Sequence, residues 1–177
     1  MRAIPLLVAL AALGAGCGSA ATDSSPLRSL GVKPHRTCTH SSRGFRACTS
    51  FDDHGESTRL YRYAGRWRPL GVTAPAPAGW WRRVVTSPDG SMLLLQWSGE
   101  CEVQSTYLVS SHGGGPRALF RRHESSAIGW KHGDALVRLT EAVWRGKKEL
   151  YAPGVYRVDP RTLAVRRLRA EPGRGGC

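Results

Sequence analysis

From residue 35 onward the chain alternates short apolar runs with polar turns. The runs are rich in aromatic and β-branched residues. Turn-forming sequences separate them: Ser41-Ser42-Arg43-Gly44, Asp52-Asp53-His54-Gly55, Ser87-Pro88-Asp89-Gly90, Gly113-Gly114-Gly115-Pro116, Lys131-His132-Gly133-Asp134 and Asp159-Pro160-Arg161. Spacing of this kind predicts an all-β domain of antiparallel meanders. One stretch is ambiguous. Asp134 to Val143 places Leu136, Leu139 and Val143 at intervals that also suit a short helix.

The pattern repeats. Each of the turn glycines Gly44, Gly90 and Gly133 is followed by an apolar segment: Phe45 to Phe51, Met92 to Trp97 and Ala135 to Val143. Next comes a segment carrying Tyr61, Tyr107 or Tyr156, and then an arginine-containing strand ending at Leu70, Leu119 or Leu168. The glycine-to-tyrosine spacings are 17, 17 and 23, and the tyrosine-to-leucine spacings 9, 12 and 12. The domain, residues 35–177, therefore divides into three units, about 35–70, 80–119 and 126–169, each of three or four strands.

The middle unit, strongest over 84–119, runs Val84-Val85-Thr86-Ser87-Pro88-Asp89-Gly90-Ser91-Met92-Leu93-Leu94-Leu95, then Ser105-Thr106-Tyr107-Leu108-Val109, then Gly114-Gly115-Pro116-Arg117-Ala118-Leu119. It resembles a blade of the TolB-type β-propeller repeat. The third unit echoes the end of such a blade at Gly154 to Pro160 and Arg166-Arg167-Leu168, and the first matches weakly. In that family the Ser-Pro-Asp-Gly turn joins two strands of one blade. Proline presets φ and glycine accepts positive φ, so the chain reverses tightly. Propellers close with four to eight blades. Three units imply an open propeller-like stack, assembly with further copies, or a compact β-sandwich.

The N-terminus reads as an export signal. Arg2 precedes an apolar stretch, Ile4 to Leu13, too short to span a bilayer. It leads into Leu13-Gly14-Ala15-Gly16-Cys17, which resembles a bacterial lipobox with Gly14 where that motif prefers leucine. The resemblance implies a signal peptide over 1–16, lipidation of Cys17, a flexible Ser/Ala/Gly/Pro tether over 17–34, and a cell-membrane location on the extracytoplasmic face. The alternative is plain secretion with cleavage after Ala21. Four cysteines then remain, an even number that suits two disulfides in an exported domain: Cys38, Cys48, Cys101 and Cys177. Cys38 with Cys48, and Cys101 with Cys177, is the favoured pairing. A zinc site from His35, Cys38, His40 and Cys48 is the competing reading, though the spacing matches no common zinc module.

Composition redirects the functional question. There are 26 Lys+Arg against 13 Asp+Glu, a formal net charge of +13. The basic residues are mostly arginine, and asparagine is absent, which removes Asn-linked glycosylation and any catalytic asparagine. Such charge usually suggests nucleic acid, but no nucleic-acid module is present and export argues against that partner. Envelope polymers, lipid head groups or an envelope protein suit the arginine clusters better. Of the six tryptophans, adjacent Trp80 and Trp81 should point to opposite faces of a strand, leaving one outward beside Arg82 and Arg83. Those four residues form the candidate ligand contact. No G-x-S-x-G, H-E-x-x-H or Walker sequence occurs, and no catalytic set, cofactor or metal is assigned. Asp52, Asp53, His54 and Glu56 are the densest polar cluster and read as a solvated hairpin turn. The expectation is a lipid-anchored binding or scaffold module of the envelope, with a small secreted enzyme acting on carbohydrate or peptide as the alternative.

Overall fold

The computed structural model describes residues 35–52, 55–75, 79–99, 103–120 and 123–173. Cys17, Cys101 and Cys177 lie outside them, and with them the lipidation site and the second bridge. Every regular element among the described residues is a strand.

The first sheet contains β1 (His35–Cys38), β2 (Phe45–Asp52), β3 (Gly55–Ala64) and β4 (Arg66–Leu70), paired in that order. The second contains β5 (Trp80–Thr86), β6 (Met92–Ser98), β7 (Gln104–Ser110) and β8 (Arg117–Leu119), again in sequence order. The third takes β9 (Ser125–Lys131), β10 (Asp134–Leu139), β13 (Gly154–Val158) and β14 (Val165–Ala170). Between β10 and β13 a separate hairpin is inserted, β11 (Val143–Arg145) with β12 (Lys148–Tyr151). This hairpin accounts for the longer glycine-to-tyrosine spacing of the third unit. All pairings are antiparallel.

The ambiguous stretch holds no helix: Asp134–Leu139 is strand β10 and Val143 opens β11. Ala135, Val137 and Leu139 are fully buried on one face, a period of two that overrides the helix-like interval of Leu136 and Leu139.

The sheets stack with the second in the middle. Phe45, Ala47 and Leu60 of the first sheet pack on Trp81, Val84, Leu93, Leu95, Trp97 and Val109 of the second. Leu94, Leu108 and Leu119 on its opposite face pack on Ala127, Ala135, Val137, Leu139, Tyr156 and Val158 of the third. A strand buried on both faces reads as a near-continuous apolar run rather than an alternation. That is why β6 reads Met-Leu-Leu-Leu-Gln-Trp-Ser, with Leu93, Leu94 and Leu95 all at 0% exposure.

The repeat glycines each sit at a positive-φ turn: Gly44 at 81°, Gly90 at 75° and Gly133 at 85°. At the Ser-Pro-Asp-Gly turn, Asp89 Oδ1 accepts from Ser87 Oγ (2.6 Å) and Ser91 N (3.1 Å), and Ser87 N bonds Met92 O at 2.9 Å.

The repeat tyrosines keep one orientation. Tyr107 stands opposite Leu95 on the face turned to the first sheet, and Tyr156 opposite Val137 on the face turned to the second. Tyr61 stands opposite Arg46, on the face of the first sheet turned away from the second. Each sheet thus directs its tyrosine toward its predecessor, and among the described residues the first sheet has none. Among the described residues the stack is open: its first and last sheets each keep a free face, and no ring is closed.

Hydrogen bonds staple adjacent sheets. Thr86 N donates to Ser42 Oγ (3.0 Å), Thr86 Oγ1 donates to Ser42 O (2.7 Å), and Arg43 donates to Pro88 O. Between the second and third sheets, Trp130 Nε1 donates to Val85 O (3.0 Å), and Thr106 and Ser125 hydroxyls meet at 2.9 Å. Cys38 and Cys48, directly opposite in β1 and β2, are joined by a disulfide. The zinc reading is corrected here, because both thiols that it needs are consumed in that bridge.

Candidate functional site

The edge strand β5 is built to split its side chains. Gly79, at φ 123°, enters so close to β6 that a Cβ would lie 2.3 Å from Ser98 O. Only glycine fits that approach. The register with β6 then skips between Trp81 and Arg83, a bulge at Arg82.

The four residues marked in the sequence part company as a result. Trp81 is core, 2% exposed, edge-on to Trp97 (4.8 Å) and Tyr107 (5.6 Å). Its Nε1 is buried with no hydrogen-bond partner among the described residues. Arg83 bridges sheets, donating to Ala127 O (2.9 Å) and Ile128 O (3.3 Å). Trp80, 37% exposed, and Arg82, exposed, remain for contact with a ligand. Arg82 has no ion pair among the described residues.

Trp80 and Arg82 border a groove along the seam of the first and second sheets. One part, about 240 Å³, is lined by Thr37, Cys38, Thr39, Ala47, Thr49, Trp80, Trp81 and Arg82. An adjoining part of about 310 Å³ shares Cys38, Thr39 and Arg82 and adds His40, Ser41, Ser42, Arg83 and Val84. Thr39 Oγ1 accepts from Ala47 N at 3.0 Å, and Thr49 and Thr58 hydroxyls lie 3.4 Å apart. The hydroxyl row, the exposed indole and the unpaired guanidinium combine stacking, hydrogen bonding and an anion fork. The row was not legible from sequence. Thr37, Thr39 and Thr49 read only as strand and turn residues until β1, β2 and β5 are seen side by side.

Two further clefts hold carboxylates. At the turn end of the second and third sheets, a cleft of about 480 Å³ is lined by Asp89, His132, Asp134, Asp159 and Arg161 among others. Hydrogen bonds from Ser87 and Ser91 hold Asp89 down at about 2, and backbone N–H groups of Arg161 and Thr162 lower Asp159. Asp134 is paired with Arg157. Asp89 and Asp159 cap turns and stay ionised, which does not suit a general acid at neutral pH. At the other end, about 500 Å³ is lined by Gln104, Glu124, Ser126, Arg138 and Glu171 among others. Arg169 and Arg138 lower Glu171, and Glu141 accepts from Glu124 N at 2.8 Å. In the Asp52–Glu56 cluster, Asp53 and His54 lie outside the described residues. Partial burial raises the Glu56 carboxyl from its ordinary value.

No protein-family model matches the chain, and comparison with curated proteins gives no match. Among solved structures, a protein assigned as TolB from Agrobacterium tumefaciens is similar at 17% identity, covering 77% of this chain and 46% of that one, with a TM-score of 0.44. The chain spans less than half the length of that structure. At this level the likeness implies nothing about what the chain binds.

Proposed function

We propose that this protein is an exported binding module of the cell envelope, held at the membrane through a lipid on Cys17, whose seam groove takes an anionic saccharide-containing polymer. The observation that carries the reading is the pairing of exposed Trp80 with Arg82, which has no ion pair among the described residues, beside a row of threonine hydroxyls. An indole face stacks on a sugar ring, while a guanidinium fork grips a carboxylate or phosphate. The Cys38–Cys48 disulfide and the signal-like N-terminus both suit an oxidising compartment.

Isothermal titration of the mature chain with an anionic cell-wall polymer tests the groove. Trp80→Ala and Arg82→Ala should each weaken binding about tenfold, the scale of truncating an interface anchor. Binding unchanged in both variants, or equal binding of a neutral polymer, overturns the reading. Mass analysis of the N-terminus, with and without an inhibitor of lipoprotein processing, tests the anchor. An unlipidated chain starting after Ala21 refutes it.

A further inference from the structure

The outward face of the first sheet, away from the groove, has its own chemistry. Cross-strand pairing sets Arg36, Arg46, Arg59, Tyr61, Tyr63 and Trp67 on it. Tyr61 is where the later sheets pack a tyrosine on their predecessor, but here Arg36 covers it, with its guanidinium carbon 4.5 Å from the ring centre. Arg46 lies over Trp67 at 4.0 Å, and Tyr63, 53% exposed, meets Trp67 edge-on at 5.3 Å.

We propose that this face docks on an anionic phospholipid surface and lays the domain flat against the membrane. A guanidinium stacked on a ring keeps in-plane N–H donors for phosphate oxygens, though the Nε of Arg46 is itself buried. Tyrosine and tryptophan, apolar in body and polar at the tip, favour the head-group level. None of the ion pairs among the described residues involves Arg36, Arg46 or Arg59. The described acids of this sheet, Asp52 and Glu56, gather at the β2–β3 hairpin end.

Chain geometry points the same way. The N-terminal segment enters the domain at His35, on the edge strand of this sheet. The residues from Cys17 to His35 can reach at most about 60 Å whatever their conformation, which ties this sheet, before the other two, to an anchoring lipid. A second copy is a poor occupant. Among the described residues the free face of the third sheet carries Arg138, Arg157, Arg166 and Arg169 against Asp134 and Glu171, with which three of them pair, so it stays net positive and stacking it on Arg36, Arg46 and Arg59 would oppose like charges.

The test is sedimentation of the mature chain without its lipid against two kinds of vesicle. One is phosphatidylcholine alone; the other is phosphatidylcholine mixed with phosphatidylglycerol. Binding should require the anionic lipid. Each arginine at an anionic surface contributes roughly fivefold to partitioning, so Arg36→Gln with Arg59→Gln should lower it about 25-fold. The charge-matched Arg166→Gln, Arg169→Gln chain should bind nearly as the parent does. Trp80→Ala and Arg82→Ala should leave vesicle binding unchanged, which separates this face from the groove. Should the first double variant fail to fold, Tyr63→Ala replaces it, with a several-fold loss expected. Equal loss in both double variants means net charge alone acts, and refutes the face. So does equal binding to neutral vesicles, or binding of soluble polyphosphate without any to vesicles.

Discussion

Leu93 and Leu94 are neighbours in β6, chemically identical and both fully buried, yet they belong to different cores. Leu93 stands between Thr86 and Val109 and faces the first sheet; Leu94 stands between Val85 and Leu108 and faces the third. Truncation to alanine removes the same atoms from equally dry sites. In either case a loss of about 3–4 kcal/mol is expected from the transfer and cavity terms. Where each sheet touches only its neighbours, stability is a sum of unit and interface terms, so the loss should be felt locally. Leu93→Ala should loosen the first sheet and Leu94→Ala the third. Native-state hydrogen exchange read by mass spectrometry resolves the two. For Leu93→Ala, protection over 35–70 should fall by two to three decades, the equivalent of that free energy, with 125–170 shifted far less. Leu94→Ala should give the mirror result. If both variants deprotect all three sheets equally, or the same terminal sheet, the two-core stack is wrong.

Other consequences are simpler to check. Reducing Cys38–Cys48, which closes a separation of 10 residues, should cost about 2.7 kcal/mol in the chain-entropy treatment, visible as a lower denaturant midpoint. Asp89 is held at about 2 by Ser87 and Ser91. A carboxylate depressed on folding stabilises fully above its unfolded range near 4 and loses that contribution as pH falls through the folded value. Asp89→Asn should therefore melt lower than the parent at neutral pH, with the gap closing as the pH drops from about 4 to 2. Gly79→Ala should displace the start of β5 through its clash with Ser98 O, weakening groove binding more than Trp80→Ala alone. Arg83→Met should destabilise by about 1–2 kcal/mol in denaturant titration, since it leaves the Ala127 and Ile128 carbonyls without their donor while keeping the aliphatic stem.

Much of the architecture was legible because its causes are local. Turn glycines, alternating burial and the recurring tyrosine each act within a few residues, so three units could be counted before any coordinates. The continuous apolar run of β6 carried a further message, burial on both faces, that only becomes plain once its two neighbours are in place. Groove and outward face were less legible. The split of Trp80 from Trp81 followed from strand alternation, but the diversion of Arg83 to the third sheet depends on a bulge at Arg82 that periodicity does not reveal. The stacking of Arg36 and Arg46 on aromatic rings joins residues more than twenty positions apart, through cross-strand register. The helix-like interval from Leu136 to Val143 misled because it ignored Ala135 and Val137, whose burial decides the strand.

An open stack keeps what a closed barrel abolishes: each of its sheets ends in strands with unpaired backbone groups, a template for aggregation. The chain blunts them one by one. β1 is four residues long and cross-linked to its neighbour, β4 carries Pro69 between Arg68 and Leu70, β5 is bulged, and β8 has three residues. β14, Val-Arg-Arg-Leu-Arg-Ala, is guarded by a bulge at Leu168 and by its arginines. Part of the basic excess thus guards an open edge, and stripping Arg166, Arg167 and Arg169 together should let β14 pair edge to edge with copies of the chain.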